Sequence, residues 1–327
     1  MYVFIVNPVA GSGKAQKIMD NLVTTTIFQQ MEKQQYYTKY RGHAEELVLQ
    51  LLNQYDPHHL IAIVIVGGDG TVHEVMNGLG NIRIPVAYIP GGSGNDFARG
   101  NDLRKQPEQI LEEVYRNQRT TPYWLGEFQI NGKDSRAFVN SIGVGFDAAV
   151  SKLANQSPFK KICNQLRLGK LVYIISLLQA LFTFRPRAIT VHVDGCTHRF
   201  QKCLFISINN QPYFGGGMKI NPEAINNGDL FSLLVIDSIS KWKVLTLFGT
   251  VFTGRHLSFK EVHVLKGKDI IITSETLQPF HADGETTEVY DVAVSKYSQP
   301  IKVFGSSHEW QCHPHTDSSK KSSVQHD

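Results

Sequence analysis

Three shortages set the limits of this 327-residue chain: cysteines are few, long apolar runs are missing, and acids vanish from one long interval. No apolar stretch reaches the roughly 18 residues that a bilayer-spanning helix needs, so none is expected to cross a membrane. The four cysteines, Cys163, Cys196, Cys203 and Cys312, show neither CxxC nor metal-site spacing and read as reduced thiols of a cytoplasmic protein. The chain begins directly on a strand pattern, so no signal peptide is expected. Between Asp147 and Asp194 there is no acidic residue, although Lys152, Lys160, Lys161, Arg167, Lys170, Arg185 and Arg187 all fall there. Elsewhere the signs balance. The net charge is +4 with a pI of about 8.7, a mild basic bias that suits anionic ligands without identifying one. The composition, 42% hydrophobic and 19% charged, is that of a folded protein, and the length exceeds one ordinary core. Two domains are expected.

What is present centres on Ile61–Leu79, IAIVIVGGDGTVHEVMNGL. The branched run Ile61–Val66 reads as a parallel strand buried on both faces. It breaks at Gly67-Gly68-Asp69-Gly70-Thr71, after which Val72, Val75, Met76 and Leu79 recur at helical spacing. A glycine turn feeding a helix N-terminus offers free N–H groups to an anion, and Asp69 stands where a carboxylate can hold a phosphate-bound metal. A second strand, Pro85–Ile89, closes on Pro90-Gly91-Gly92-Ser93-Gly94-Asn95-Asp96. Turns from neighbouring parallel strands share the carboxyl edge of the sheet, where open α/β sheets bind ligands. The first strand, Tyr2–Val6, ends at Asn7-Pro8, and Ala10–Lys14 is expected to open a helix. Gly13-Lys14 does not make a Walker loop, because Pro8 and Ala15 stand where that motif needs Gly and Ser or Thr.

Alternating strands and helices through Pro122 predict an α/β domain over 1–124. From 125 to 305 short β runs and turn pairs such as Asp194-Gly195 predict an antiparallel sandwich, interrupted by one helix over 158–186. Two readings of that basic, apolar helix stand. It packs on the sandwich with solvated ends, or it meets anionic lipid headgroups at a membrane surface. Residues 306–327 are polar and expected to be disordered, which leaves His308, Cys312, His313 and His315 no frame for a metal.

GGDGT followed by HEVMNGL, then PGGSGNDFAR, with NPVAGSGK at the start and DGE near the end, resembles the diacylglycerol kinase catalytic family. That family includes bacterial lipid kinases and sphingosine kinases and shares its phosphate loop with NAD kinases. The resemblance spans nearly the whole chain and implies a Rossmann-like, NAD-kinase-like α/β domain followed by an antiparallel β-sandwich. It implies ATP and Mg2+ as cofactors, with Asn7, Thr38, Gly67, Gly68, Asp69, Gly70, Thr71, Glu74, Gly92, Ser93 and Gly94 at the nucleotide. Asp69 would serve the metal, and Glu285 would take the proton from the hydroxyl of a lipid such as diacylglycerol. Alone, Asp283-Gly284-Glu285 is a hairpin-turn sequence. A long-chain-base kinase and a non-catalytic nucleotide- or lipid-binding regulator remain alternatives. NAD kinase is disfavoured by PGGSGNDFAR and the basic 158–187 stretch. Two positions depart from the family pattern: Asn227 stands at the usual aspartate of a structural Mg2+ site, and Trp124 at the domain-junction aspartate. The expected partners are the lipid substrate and an anionic membrane surface, not nucleic acid, with a homodimer left open.

Overall fold

The computed structural model describes residues 1–103, 105–116, 119–133, 135–156, 169–226 and 230–305. The first part of the chain runs β1 (Tyr2–Val6), α1 (Ala10–Leu22), α2 (Thr26–Gln30), β2 (Lys33–Tyr37), α3 (His43–Gln54), β3 (Ala62–Gly67), α4 (Asp69–Leu79), β4 (Val86–Pro90), α5 (Asp96–Gly100), α6 (Pro107–Tyr115) and β5 (Thr120–Tyr123). The second runs β6 (Gly126–Ile130), β7 (Arg136–Phe138), β8 (Ser141–Gly145), α7 (Phe146–Gln156), α8 (Gly169–Thr183), β9 (Arg187–Val193), β10 (Cys196–Asn209), β11 (Phe231–Asp237), α9 (Lys241–Val251), β12 (Val262–Gly267), β13 (Ile270–Ala282), β14 (Glu285–Lys296) and β15 (Ile301–Phe304).

The first sheet has the order β2-β1-β3-β4-β15-β5, with β1 to β4 parallel. Helices cover both faces, which is why its central strands are apolar throughout. In β1, Val3 and Ile5 join the core beneath α3 and α4, while Tyr2, Phe4 and Val6 join the core beneath α1 and α6. Each such side chain contributes about 1.5–3 kcal/mol through burial. Because β2 lies on one side of β1 and β3 on the other, the chain direction switches there. A crevice forms beyond the carboxyl ends of β1 and β3.

The second part is one antiparallel sheet of nine strands, ordered β12-β11-β10-β8-β13-β14-β6-β7, with β9 also pairing β10 and β13. It wraps around a core that includes Phe128, Phe138, Val191, Ile206, Phe231, Phe280 and Val292, and is the expected sandwich-like domain. Three details differ from the sequence reading. Of the single helix expected over 158–186, residues 158–168 lie outside the described residues and the rest contains α8, which ends at Thr183; α7 and α9 are further helices. α9 escaped notice because KWKVLTLFGTV is apolar on nearly all sides and shows no clear period, though Ser240 caps it through Lys243 N–H. Finally, β15, which falls within the stretch 125–305 expected to form the sandwich, pairs with β4 and β5 in the first sheet. The tail 306–327, with its histidines, and Asn227-Gly228-Asp229 lie outside the described residues.

Candidate active site

Three turns meet at the carboxyl edge of β1, β3 and β4, and glycine is what lets them touch. A Cβ on Gly11 would collide with the Gly91 carbonyl oxygen; one on Gly91 would stand 2.7 Å from Ala15 Cβ, and one on Gly92 2.5 Å from Gly68 Cα. Gly91 N–H donates to Gly67 O at 2.7 Å, joining the second turn to the third. The first turn departs from the expected helix start. Gly11, Ser12 and Gly13 all have left-handed backbones, so regular helix begins only at the exposed Lys14. Asn7 Nδ2 donates to Thr71 Oγ1 at 3.1 Å across the β1–β3 crevice, and its Oδ1 is buried with no donor among the described residues. Thr38 N–H reaches Val6 O at 2.9 Å, which fixes Thr38 on the same edge.

The acids of these turns hold backbone. Asp69 Oδ1 accepts from Phe97 N–H at 2.9 Å and Oδ2 from Asp96 N–H at 3.1 Å, tying the turn before α4 to the start of α5. Burial, with the neighbouring Asp96 charge, pushes the Asp69 carboxyl up to about 6 despite those two donors. Asp96 pairs with Arg99 at 2.5 Å and accepts from Gly216 N–H at 2.7 Å, so a loop of the second domain docks on the second-domain side of the turn. Asn95, a left-handed residue, knits that turn: its Oδ1 accepts from Gly92 N–H and Tyr88 Oη, both at 2.9 Å. Glu74 is placed further back. It accepts from Gly42 N–H and Ala44 N–H at 2.9 and 3.0 Å and so caps α3 and anchors the 38–43 segment. Ser93 is exposed at the tip of its turn, with Gly92 and Gly94 half-buried beside it, and Gly70 is exposed in the first turn of α4.

Opposite these turns stands the β13–β14 hairpin. Ala282 pairs with Glu285, leaving Asp283 and Gly284, both with positive φ, as a two-residue turn. The turn aims its two carboxylates in different directions. The Asp283 side chain is fully buried and accepts from His73 Nδ1 at 2.8 Å, Val139 N–H at 2.6 Å, Asn140 N–H at 2.8 Å and Ser141 N–H at 3.1 Å. His73 belongs to α4, so this bond joins the domains. Glu285 points outward, 46% exposed, and accepts from Arg41 Nε and Nη2 at 2.8 and 2.6 Å. Arg41 lies in the segment that Glu74 anchors. The hairpin therefore brings Glu285 beside the 38–43 segment at the carboxyl edge of the first sheet. Sequence reasoning missed Arg41, His73, Asn95, Asp96 and Asp283 as parts of this site, although PGGSGNDFAR and DGE contain three of them.

Trp124, at the domain junction, is held by its backbone. Its N–H donates to Asn226 Oδ1 at 2.8 Å and its carbonyl accepts from Asn210 and Asn226 at 2.8 and 2.7 Å. None of these bonds uses the indole.

Beside the Gly216 loop the second domain carries an apolar pocket. Its walls include Phe146, Val150, Leu177, Phe214, Val244 and Leu247, and among the described residues its one charged wall residue is Asp147, whose Oδ2 lies 3.1 Å from His281 Nε2. His281 stacks on Phe214, with ring centres 5.6 Å apart. The free volume is about 50 Å³, too small to seat an acyl chain as α7, α8 and α9 stand. Among the described residues no helix is long and apolar enough to span a membrane, and no three His, Cys, Asp or Glu side chains converge as a metal cluster.

An α/β sheet with glycine turns at its switch point, joined to a sandwich-like domain that brings a carboxylate to the same edge, defines a phosphotransferase of the NAD-kinase-like architecture. Residues 1–127 match the model of the diacylglycerol kinase catalytic domain, and 140–305 match that of the YegS C-terminal NAD kinase beta sandwich-like domain. The chain is 31% identical to "Putative lipid kinase YtlR" of Bacillus subtilis, over 92% of this chain and 98% of that one. It is 25% identical to a diacylglycerol kinase of Mycobacterium tuberculosis, over 93% and 94% of the two chains. Among solved structures, a diacylglycerol kinase from Bacillus anthracis superposes with a TM-score of 0.66 at 18% identity, covering 92% and 95% of the two chains. An ATP complex of the NAD kinase from Archaeoglobus fulgidus gives 0.51 at 14% identity, covering 94% of each chain; both likenesses are of fold. The chain belongs to the diacylglycerol kinase catalytic family and is an enzyme of the lipid kinase class.

Proposed function

We propose that this enzyme transfers the γ-phosphoryl group of ATP to the hydroxyl of a diacylglycerol-like lipid. The observation that carries the proposal is a shared loop. Phe214 walls the apolar pocket, and two residues on, Gly216 N–H bonds Asp96 at the end of the second glycine turn. Acyl chains seated in the pocket would present a headgroup next to the phosphate cradle. A soluble dinucleotide gains nothing from such a pocket.

Phosphoryl transfer requires positioning and charge stabilisation more than covalent chemistry. Backbone N–H groups of the 7–14, 67–71 and 91–95 turns cradle the phosphates. The donorless Oδ1 of Asn7 accepts from a nucleotide hydroxyl or from water bound with it. Mg2+ would neutralise phosphate charge, and the residues fit it: such an ion keeps most of its waters and needs only one or two carboxylates. Asp69 supplies one, and a nearby cation offsets the burial that raises its carboxyl. Glu285, held by Arg41 through Oε1, takes the proton from the acceptor hydroxyl on Oε2. A long-chain base is the second reading, favoured by the Asp147 carboxylate on the pocket wall, which suits an ammonium group.

The test is transfer from radiolabelled ATP to a panel of diacylglycerols, sphingoid bases and NAD in mixed micelles. Diacylglycerol should be labelled, and Glu285→Gln should lower kcat by roughly 10²–10⁴-fold with ATP affinity unchanged. Labelling of NAD alone, or of nothing, would sink the lipid reading. Near-normal turnover in the variant would remove Glu285 from the mechanism.

A further inference from the structure

We propose that the outer faces of α8 and α9 form the surface by which this enzyme sits on an anionic phospholipid bilayer. A helix that is apolar all round is normally buried. α9 is not: Val244, Leu247 and Val251 face the core, yet Trp242, Leu245 and Phe252, spaced three and seven residues apart, stand 76%, 37% and 53% exposed. α8 repeats the pattern, with Leu177 and Leu181 inside and Ile175, Leu178 and Phe182 exposed to 63%, 40% and 61%. The two stripes are neighbours, because Lys241 Nζ at the start of α9 donates to Phe182 O at 2.9 Å. Six large apolar side chains are thus exposed on two helices that meet at Lys241 and Phe182, and neither helix contains an acidic residue. Large apolar side chains exposed together on two adjoining helices point to an interaction site.

The rim decides the partner. Arg185 and Arg187 are exposed just past α8, Lys241 opens α9, and Arg255 follows Phe252. The carboxylates flanking α9 are engaged: Asp237 accepts from Lys202 N–H and Ser238 Oγ, and Glu261 pairs with Lys243 at 2.8 Å. Apolar side chains framed by cations, with Trp among them, suit the boundary between headgroups and acyl chains. A second copy fits worse, since a two-fold contact sets this basic rim against itself. The location agrees as well. The inner sides of the same helices, through Leu177, Val244, Leu247 and Val251, wall the apolar pocket, so a lipid leaving the bilayer meets the pocket beneath the docking face. The surface extends beyond the basic stretch marked in the sequence, of which Lys160, Lys161 and Arg167 lie outside the described residues, as does the Lys170 side chain.

The purpose of this surface rests on the lipid-kinase reading, but its test needs no turnover. Full-length protein is sedimented with vesicles of phosphatidylcholine, with and without phosphatidylglycerol, in low and high salt. Trp242→Ala with Ile175→Ala changes two exposed side chains outside the pocket wall, so melting should be unchanged. The vesicle partition coefficient should fall at least about tenfold, given the apolar area each side chain buries. Brominated lipids should quench the tryptophan emission of the wild type more than that of Trp242→Phe. Binding should favour phosphatidylglycerol and weaken with salt. Equal partitioning of wild type and variant, or no binding by the wild type, would overturn the proposal. So would a wild-type dimer in solution that the substitutions dissociate. Normal labelling of a micellar acceptor by the variant, beside lost vesicle binding, would confirm docking as separate from catalysis. An inactive wild type that still binds vesicles through Trp242 would retain the docking surface and reject only the kinase reading.

Discussion

Asp283 and Asp69 are both buried carboxylates, yet they shift in opposite directions. For Asp283 burial alone would raise the carboxyl; His73 and the Val139 and Asn140 N–H groups outweigh it and hold the group below its ordinary value of 3.8. A depressed carboxyl adds stability that is present above that value and lost as pH falls beneath it. Asp283→Asn should therefore cost about 3–5 kcal/mol at neutral pH, measured by denaturant unfolding, and the deficit should shrink in acid. Asp69, raised to about 6, works the other way. The folded chain holds the extra proton between about pH 4 and 6, so burial of the charge costs stability that sets in as pH rises through that window. Thermal melts of wild type and Asp69→Asn at pH 4 and pH 7 should show the variant gaining relative to wild type at the higher pH, by at most about 3 kcal/mol. Arg41 differs from both, since its pair with Glu285 is largely exposed and contributes under about 1 kcal/mol. Arg41→Ala should leave melting nearly unchanged and still lower kcat roughly ten- to hundredfold, because it leaves Glu285 unplaced. The motifs made Asp69 and Glu285 visible in the sequence. Arg41 was not visible, since its meeting with Glu285 spans 244 residues and no local pattern encodes it.

At the scale of elements, legibility followed period. β3 and β4 are unbroken apolar runs and the glycine turns follow them directly, so strand, turn and helix were all readable in order. α9 was not, because two apolar faces on one helix erase the alternation that marks its inner side. The left-handed run Gly11-Ser12-Gly13 was hidden too: Gly-Ser-Gly permits a helix start as readily as a turn. Contact between turns permits a sharper test. Gly92→Ala places a methyl 2.5 Å from Gly68 Cα, where only backbone can yield. The two turns must part, costing about 1–3 kcal/mol, and ATP affinity measured by calorimetry should fall at least tenfold. Gly249→Ala, on ordinary helical backbone in α9 with no neighbour within 4 Å, is the control for a glycine outside the site and should leave ATP affinity unchanged.

For the whole molecule, the two domains are less separate than their composition suggested. β15 comes from the far end of the chain, yet Ile301, Val303 and Phe304 are at most 2% exposed within the cores of the first domain. Four residues of strand carry too little pattern to announce which sheet they join. A chain ending at residue 299 should lose three buried side chains, each worth about 1.5–3 kcal/mol. Its nucleotide domain should then melt lower and bind ATP more weakly, while the sandwich core keeps its strands. Synthesis feels the same strand differently. Residues leave the ribosome in order, so β1 to β4 emerge while the partner of Val86 is still more than two hundred codons away. At about 5–20 residues per second the outer edge of β4 waits roughly 10–40 s for its cover. An unpaired, apolar strand edge is a template for other chains. The nascent enzyme thus carries a timed aggregation hazard that ends only when β15 arrives.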